Sequence, residues 1–284
     1  MRGLVGALPP TEADQSRAGT PVQLQAGTPG LVRFSLALLR LQRSRAAELP
    51  LSEPPAPEEV QRCLAEGVPL LDISRPGGSV PGPGEDEIAA MVAEIAELAA
   101  QHHLSGASAA EEVAKQLARD ATPRDRGSKE PDAEVLQTLR EQAVRPWLLR
   151  YAQAAAGVDW SDWRRGYCPV CGAQAGIARL DDGGRRHLAC TVCGTEWPYA
   201  RIGCPSCGQT EGDKLRYIWV EGDDAHRVLI CDDCGGYLKT VDERLFDKSD
   251  SAAYRVDPTA VDAETLELDA LAQARGAVRG GRAS

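Results

Sequence analysis

Eight cysteines grouped in four Cys-x-x-Cys pairs constrain this chain more than any other feature of its sequence. The chain has nine cysteines in 284 residues, and eight of them lie between positions 168 and 234. A glycine directly follows each pair, and glycine adopts a positive φ without steric cost. Each pair therefore predicts a tight turn, or knuckle, in which both sulfurs face the same side. The pairs are Cys168–Cys171, Cys190–Cys193, Cys204–Cys207 and Cys231–Cys234.

The spacing of these pairs predicts two four-cysteine metal sites. Inserts of 18 and 23 residues lie within the two halves of the region, whereas only 10 residues separate the second pair from the third. Two knuckles joined by a hairpin-sized insert are typical of zinc ribbons and rubredoxin-type sites. We assign the first two pairs to one ion and the last two to another, with an interleaved pairing as the alternative. Four thiolates suit zinc or a single iron, so the ligands do not select the metal.

The inserts between paired knuckles have the pattern of β-hairpins. Turn signals rich in Asp and Gly occur at 181–184 and 221–224, each between two short runs of strand-forming residues. The order knuckle, hairpin, knuckle occurs twice, which indicates an internal duplication. The predicted strands cover 177–180, 186–190, 215–220, 227–231 and a closing strand at 237–241.

Other roles for the cysteines fit the sequence less well. A thioredoxin-like dithiol is activated by the helix that follows it, whereas glycine and strand-like residues follow each pair here. Cys63 stands alone in a predicted helix, where a small buried apolar side chain is the favoured role. His187 lies three residues before Cys190, but four thiolates already complete a ligand set, which favours a surface position on a strand.

The first half of the chain has the periodicity of helices. The clearest case follows the acidic residues 85–87, where Ile88, Met91, Val92 and Ile95 form one apolar stripe. A stretch at 74–84 with four glycines and three prolines predicts a loop. Predicted helices cover 31–49, 57–67, a segment from 85 through the apolar stripe to Leu98, 108–118 and 132–156, the last with a kink at Pro146.

A change of composition near position 157, from helical periodicity to Gly, Cys and short β-type runs, predicts a domain boundary. Trp160 and Trp163 lie at this boundary, either packed on the cysteine-rich modules or forming a partner surface. The predicted fold class is α+β, a helical N-terminal domain followed by two tandem rubredoxin-like, or zinc-ribbon-like, four-cysteine metal modules. The predicted segments are 1–27, a loose lead-in; 28–160, the helical domain; 161–200 and 201–245, the two modules; and 246–284, a tail with a short helix.

Charge and hydropathy exclude several classes of protein. The net charge is −10, and residues 164–239 carry equal numbers of basic and acidic side chains, which disfavours nucleic-acid binding through a basic surface. No apolar run reaches the roughly 18 residues that span a bilayer, and the N-terminus lacks a signal-peptide core, so we expect a cytoplasmic protein. Nucleophile–base pairs, paired catalytic carboxylates and phosphate loops are not recognisable in the sequence, so we do not expect an enzyme.

Several stretches resemble the formate dehydrogenase accessory protein family FdhE. Thr-Glu-Trp at 195–197, after the second knuckle, and Tyr-Leu-Lys at 237–239, after the fourth, are far more discriminating than the cysteines alone. Pro-Leu-Leu-Asp-Ile at 69–73 is similar to the family's Pro-Pro-Leu-Asp-Ile, and 257–269 is similar to its closing segment. Ala189 departs from the pattern, since the family often has a histidine there.

The resemblance implies a cytoplasmic maturation factor rather than an enzyme. Family members are needed for active respiratory formate dehydrogenase and associate with its molybdenum- or tungsten-containing catalytic subunit. Their two rubredoxin-like units are thought to hold iron. The resemblance therefore implies a formate dehydrogenase catalytic subunit as the partner and favours iron over zinc. A zinc-ribbon nucleic-acid binder and a rubredoxin-like electron carrier are the alternative functions.

Overall fold

The described residues in the first half of the chain are mostly helical, as the sequence predicted. The computed structural model describes residues 21–22, 29–71, 83–104, 108, 111, 133–246 and 256–280. Most of the predicted lead-in at 1–27, loop at 74–84 and helix at 108–118 lies outside the described residues. The helices are α1 Pro29–Glu48, α2 Pro57–Glu66, α3 Glu85–Gln101, α4 Ala133–Ala143 and α5 Arg145–Ala154.

The apolar stripe of α3 is the centre of the helical region. Glu87 in its first turn accepts a hydrogen bond from the Gly84 N–H at 2.8 Å, which satisfies a backbone donor at the helix start. Ile88, Met91 and Ile95 are buried and pack with residues of α1 and α4. Burial of this stripe, more than intrinsic helix propensity, holds the three helices together.

Pro146 divides the single helix predicted over 132–156 into α4 and α5. Proline has no N–H to donate and its ring crowds the carbonyl four residues earlier, which here belongs to Gln142. That carbonyl accepts a hydrogen bond from the side-chain amide of Gln42 at 3.0 Å instead. Gln42 lies on α1 and is fully buried, so the side chain satisfies a backbone acceptor that the proline leaves without its helical partner.

A single sheet carries both cysteine-rich modules. Each module contributes three antiparallel strands, of which the first two form a hairpin and the third closes the module. The duplication predicted from the sequence is therefore visible in the topology. The strand order is β1-β5-β6-β7-β2-β3-β4, with β8 paired to β7. The strands are β1 Pro21–Val22, β2 Ile177–Leu180, β3 Arg186–Ala189, β4 Glu196–Pro198, β5 Leu215–Val220, β6 Asp223–Cys231, β7 Gly236–Asp242 and β8 Val278–Arg279.

The two modules join through β2 and β7. These strands pair in parallel, with Ile177 opposite Lys239 and Leu180 opposite Asp242. Arg179 on β2 adds a buried ion pair to Glu243, just after β7, at 2.7 Å. The two modules are separate segments of the sequence, but the hydrogen bonds between β2 and β7 join them into one continuous sheet.

The C-terminal segment packs on this sheet. Two short helices, α6 Pro258–Glu264 and α7 Leu266–Gln273, replace the one short helix predicted there. Lys239 on β7 is 1% exposed and binds carboxylates of both helices, Asp262 at 2.7 Å and Asp269 at 2.6 Å. Arg279, near the end of the predicted tail, also binds Asp262; residues 281–284 lie outside the described part.

Across the described residues, none of the helices combines the length and the apolar character needed to cross a membrane.

Candidate metal centres

All four knuckles have the same backbone geometry. The glycine after each pair has a positive φ, between 66° and 79°. Its N–H donates to the carbonyl of the first cysteine of the pair at 2.9–3.0 Å. This hydrogen bond closes the turn and directs both thiols to one side, which confirms the reason for glycine given by the sequence.

The first two knuckles bring four sulfurs together. The Sγ atoms of Cys168 and Cys193 lie 3.5 Å apart, as do those of Cys171 and Cys190. All four sulfurs lie within 4.8 Å of one another. A tetrahedral ion with metal–sulfur bonds of about 2.3 Å places its sulfurs about 3.8 Å apart. The cluster therefore has the size that such an ion requires.

The last two knuckles form an equivalent cluster. The Sγ atoms of Cys204 and Cys234 lie 3.7 Å apart, and those of Cys207 and Cys231 also lie 3.7 Å apart. Together with the first cluster, this grouping follows the consecutive pairing rather than the interleaved alternative. The two four-cysteine groups can hold two metal ions, and their geometry suits zinc and iron equally.

Backbone amides point at the sulfurs in both clusters. In the first, the N–H groups of Cys171 and Cys193 approach the sulfurs of Cys168 and Cys190 at 3.5 Å. In the second, Gly236 N–H donates to Cys234 Sγ at 3.3 Å. Such N–H groups stabilise thiolate charge, which a metal ligand needs.

Burial and hydrogen bonds between thiols shift the pKa values of the buried cysteines in opposite directions. Burial raises the pKa of the Cys168 thiol, while hydrogen bonds from the neighbouring thiols lower the pKa of Cys190. A bound metal would displace the thiol protons, because the thiolate is the form that binds a metal ion.

Two arginines supply positive charge close to the clusters. Arg145 donates from Nε to the Val192 carbonyl in the second knuckle at 3.4 Å. Arg186 is 3% exposed and donates to the Gly203 carbonyl at 2.7 Å, immediately before Cys204. Among the described residues no carboxylate pairs with Arg186, and its Nη2 has no hydrogen-bond partner. A negatively charged metal–thiolate site nearby would offset this buried cation.

The helical region is docked on the first cluster. The N–H groups of Leu70 and Leu71 donate to the carbonyls of Pro169 and Val170 in the first knuckle, at 3.0 and 2.7 Å. These two leucines belong to the Pro-Leu-Leu-Asp-Ile stretch noted in the sequence, so part of that stretch holds the knuckle in place. Cys63 Sγ also donates to the Pro169 carbonyl, at 3.6 Å.

Several other residues considered in the sequence analysis lie outside the two sulfur clusters. Trp160 and Trp163 are buried, so they pack in the core and do not form a partner surface. His187 lies on β3, where Nε2 is 3.2 Å from Asp181 Oδ2, and it belongs to neither sulfur cluster. Cys63 is also outside both clusters and is buried, as predicted. Sequence reasoning missed Arg145 and Arg186, because an arginine in a helix or a strand has no local signal for such a position.

Comparison with known proteins finds similarity between this chain and FdhE proteins. The model described as "FdhE, central domain" matches residues 167–201, and the model described as "FdhE, C-terminal domain" matches residues 202–283. A protein of Aquifex aeolicus named Protein FdhE homolog is 34% identical over 140 residues, which cover 48% of this chain and 47% of that protein. A protein of the same name from Stutzerimonas stutzeri is 25% identical over 95% of this chain and 88% of its own length. The chain is thus similar to FdhE proteins along most of its length, and the two FdhE domain models match it over residues 167–283.

A solved FdhE structure has the same fold. The crystal structure of the FdhE protein from Pseudomonas aeruginosa superposes with a TM-score of 0.58 at 21% identity, over 89% of this chain and 92% of that one. The sequence match to the Aquifex FdhE homolog spans about half the length of that relative. The resemblance found in the sequence is thus confirmed at the level of the family.

Proposed function

We propose that this chain is a cytoplasmic accessory protein for the maturation of formate dehydrogenase, and that it binds the catalytic subunit of that enzyme. The observation that carries the proposal is the pair of four-sulfur clusters within an FdhE fold. In this proposal Cys168, Cys171, Cys190 and Cys193 hold one ion, and Cys204, Cys207, Cys231 and Cys234 hold the other. Iron is the favoured metal, zinc is the alternative, and the protein is not itself an enzyme.

The sulfur distances support the assignment of both ions. Neighbouring sulfurs in opposite knuckles are 3.5–3.7 Å apart, close to the roughly 3.8 Å of a tetrahedral metal–thiolate site. Each ion would cross-link two knuckles that are far apart in sequence, and modules this small gain much of their folding free energy from such links. Elemental analysis of protein purified without air should find two ions per chain. Ferric tetrathiolate would absorb visible light, whereas zinc-loaded protein would be colourless.

Deletion of the gene tests the role in maturation. The deletion strain should lose formate dehydrogenase activity, measured as formate-dependent dye reduction, and the intact gene should restore it. Cys168→Ser should fail to restore activity because it removes a ligand. Cys63→Ala is the matched control, since it removes a buried sulfur that belongs to neither cluster. Full activity in the deletion strain would refute the proposal.

Affinity purification tests the partner. A tagged chain isolated from cells that express formate dehydrogenase should co-purify with the catalytic subunit, identified by mass spectrometry. Capture of the subunit by the unrelated tagged control to the same extent would argue against specific binding.

A further inference from the structure

The two sulfur clusters differ sharply in exposure to solvent. In the first, all four cysteines are buried, with exposures of 0–2%. In the second, Cys204 and Cys231 are buried, but Cys207 is exposed and Cys234 is partly exposed. The sequence offers no reason for this difference, because the knuckles have the same pattern.

Packing from outside the module seals the first cluster. Its cysteines belong to a core cluster that includes Leu148 of α5, Leu71 after α2, and the buried rings of Trp163 and Trp197. Hydrogen bonds from Leu70 and Leu71 hold the first knuckle, and Arg145 holds the second. An external ligand can reach these sulfurs only if the interface between helices and sheet opens.

The second cluster has a much smaller apolar surrounding. In the described part of the chain, its buried cysteines share a core cluster with Leu215, Leu229 and the partly buried Tyr217. Cys207 and Cys234 line an open groove of about 870 Å³. Four glycines are among its lining residues, and a Cβ added at Gly208 or Gly276 would meet no atom within 4 Å. The groove therefore leaves room beside the cluster for a ligand from another molecule.

We propose that the second cluster is a ligand-exchange site, at which a thiol of another molecule replaces Cys207 as a ligand of the bound ion. The first cluster, by contrast, only stabilises the fold. In such an exchange the sulfur of the incoming thiol would take the place of Cys207 Sγ on the ion. The proton of the incoming thiol would pass to Cys207, so atoms, charge and oxidation state would balance. This inference rests on the two-ion assignment made under the proposed function.

The two clusters should exchange ligands at different rates because their sulfurs differ in how much of the surrounding structure must open to expose them. Exchange at Cys207 needs no unfolding, because its sulfur already faces the groove. Exchange at the first cluster needs local opening of a packed interface, which has a free-energy cost comparable with subglobal unfolding. Release from the second site should therefore be at least about tenfold faster.

Zinc release into a dithiol chelator tests the inference. Full-length protein is loaded with zinc, and two equivalents per chain are confirmed by elemental analysis. The protein is then mixed with dimercaptosuccinate, and the zinc retained after rapid desalting is measured over time. Two phases of one equivalent each are expected. In the same samples, alkylation by iodoacetamide, mapped by mass spectrometry, should modify Cys207 and Cys234 before Cys168 or Cys171.

Paired variants assign the phases. Cys207→Ser and Cys171→Ser change the same position of the knuckle in the exposed and the buried cluster. Cys207→Ser should remove the fast phase and keep the slow one. Cys171→Ser should remove the slow phase or prevent folding, and the alkylation order in the unmodified protein tests the inference in either case. Release of both ions at one rate, or equal alkylation of the two clusters, would overturn the inference and leave the two-ion assignment intact. Absence of stoichiometric metal would instead contradict that assignment.

Discussion

Loss of an ion pair to the buried Lys239 should lower the stability of the fold strongly. Its Nζ lies 2.6 Å from Asp269 Oδ2 and 2.7 Å from Asp262 Oδ1, and it also donates to the Asp262 carbonyl at 2.7 Å. Tyr237 donates to Asp269 Oδ1 at 2.8 Å. The Asp269 carboxylate thus has charged or polar partners at both oxygens, in a largely buried site.

Asp269→Asn is the informative change because it keeps the shape of the side chain and removes its charge. Breaking a buried ion pair costs about 3–5 kcal/mol, since the remaining charge stays buried without its partner. Asp262 still faces Lys239 in the variant. We therefore expect the lower end of the range, a decrease of about 3 kcal/mol in the free energy of unfolding.

Urea denaturation of metal-saturated protein measures this loss, with Glu85→Gln as the matched control. Glu85 pairs with Arg140 through both oxygens, at 2.8 and 3.1 Å, but its side chain is 66% exposed. Exposed pairs contribute less than about 1 kcal/mol, so the control should be nearly neutral. Equal destabilisation by the two substitutions would refute the reasoning that burial makes the Lys239 network important.

The same network predicts a dependence on pH. Burial raises the pKa of Asp269, but Lys239 and Arg279 outweigh it and hold that pKa below its ordinary value. A carboxyl with a lowered folded-state pKa stabilises the fold above its unfolded pKa, and this contribution is lost as pH falls through the folded value. The difference in stability between the wild-type protein and Asp269→Asn should therefore be constant near neutral pH and shrink below about pH 4. A difference that persists unchanged at pH 2–3 would contradict this assignment.

Three further substitutions test local features of the fold. Gly208→Ala has room for its Cβ but must adopt a φ of 79°, so it should lower the free energy of unfolding by roughly 1–2 kcal/mol in a thermal melt; a neutral result would contradict the knuckle geometry. Gly166→Ala places a Cβ 1.8 Å from the Pro205 carbonyl oxygen and should disrupt the fold, whereas Gly157→Ala meets no atom and should be tolerated; circular dichroism distinguishes them. Trp163→Phe removes an indole N–H that donates to a backbone carbonyl at 2.8 Å and should cost roughly 1–3 kcal/mol by urea denaturation.

The local elements of the site could be predicted from the sequence because their causes are local. Glycine after each cysteine pair dictates the knuckle, and Asp–Gly turn signals dictate the hairpins that became β2–β3 and β5–β6. The stripe of α3 follows from helical periodicity in the same way. One difference is the start of β6, which begins at Asp223 rather than 227 because the turn closes within fewer residues than the polar stretch suggested.

The Tyr-Leu-Lys stretch at 237–239 was visible in the sequence, but its role was not. A lysine in a strand is ordinarily exposed, and only the folding of α6 and α7 onto β7 brings Asp262 and Asp269 to Lys239. The partners are 23 and 30 residues away in the chain. No spacing rule connects such positions, because their separation depends on how the intervening segment packs.

By itself, the sequence determined which eight sulfurs form knuckles, since a Cys-x-x-Cys-Gly turn needs only a few neighbouring residues to specify it. The tertiary structure decided that the two modules share one sheet through β2 and β7, and that helices cover Cys171 but leave Cys207 exposed. Identical knuckles thus acquire different solvent access because exposure depends on packing by distant segments. That packing comes from the burial of apolar side chains across the whole chain, which a local motif does not encode.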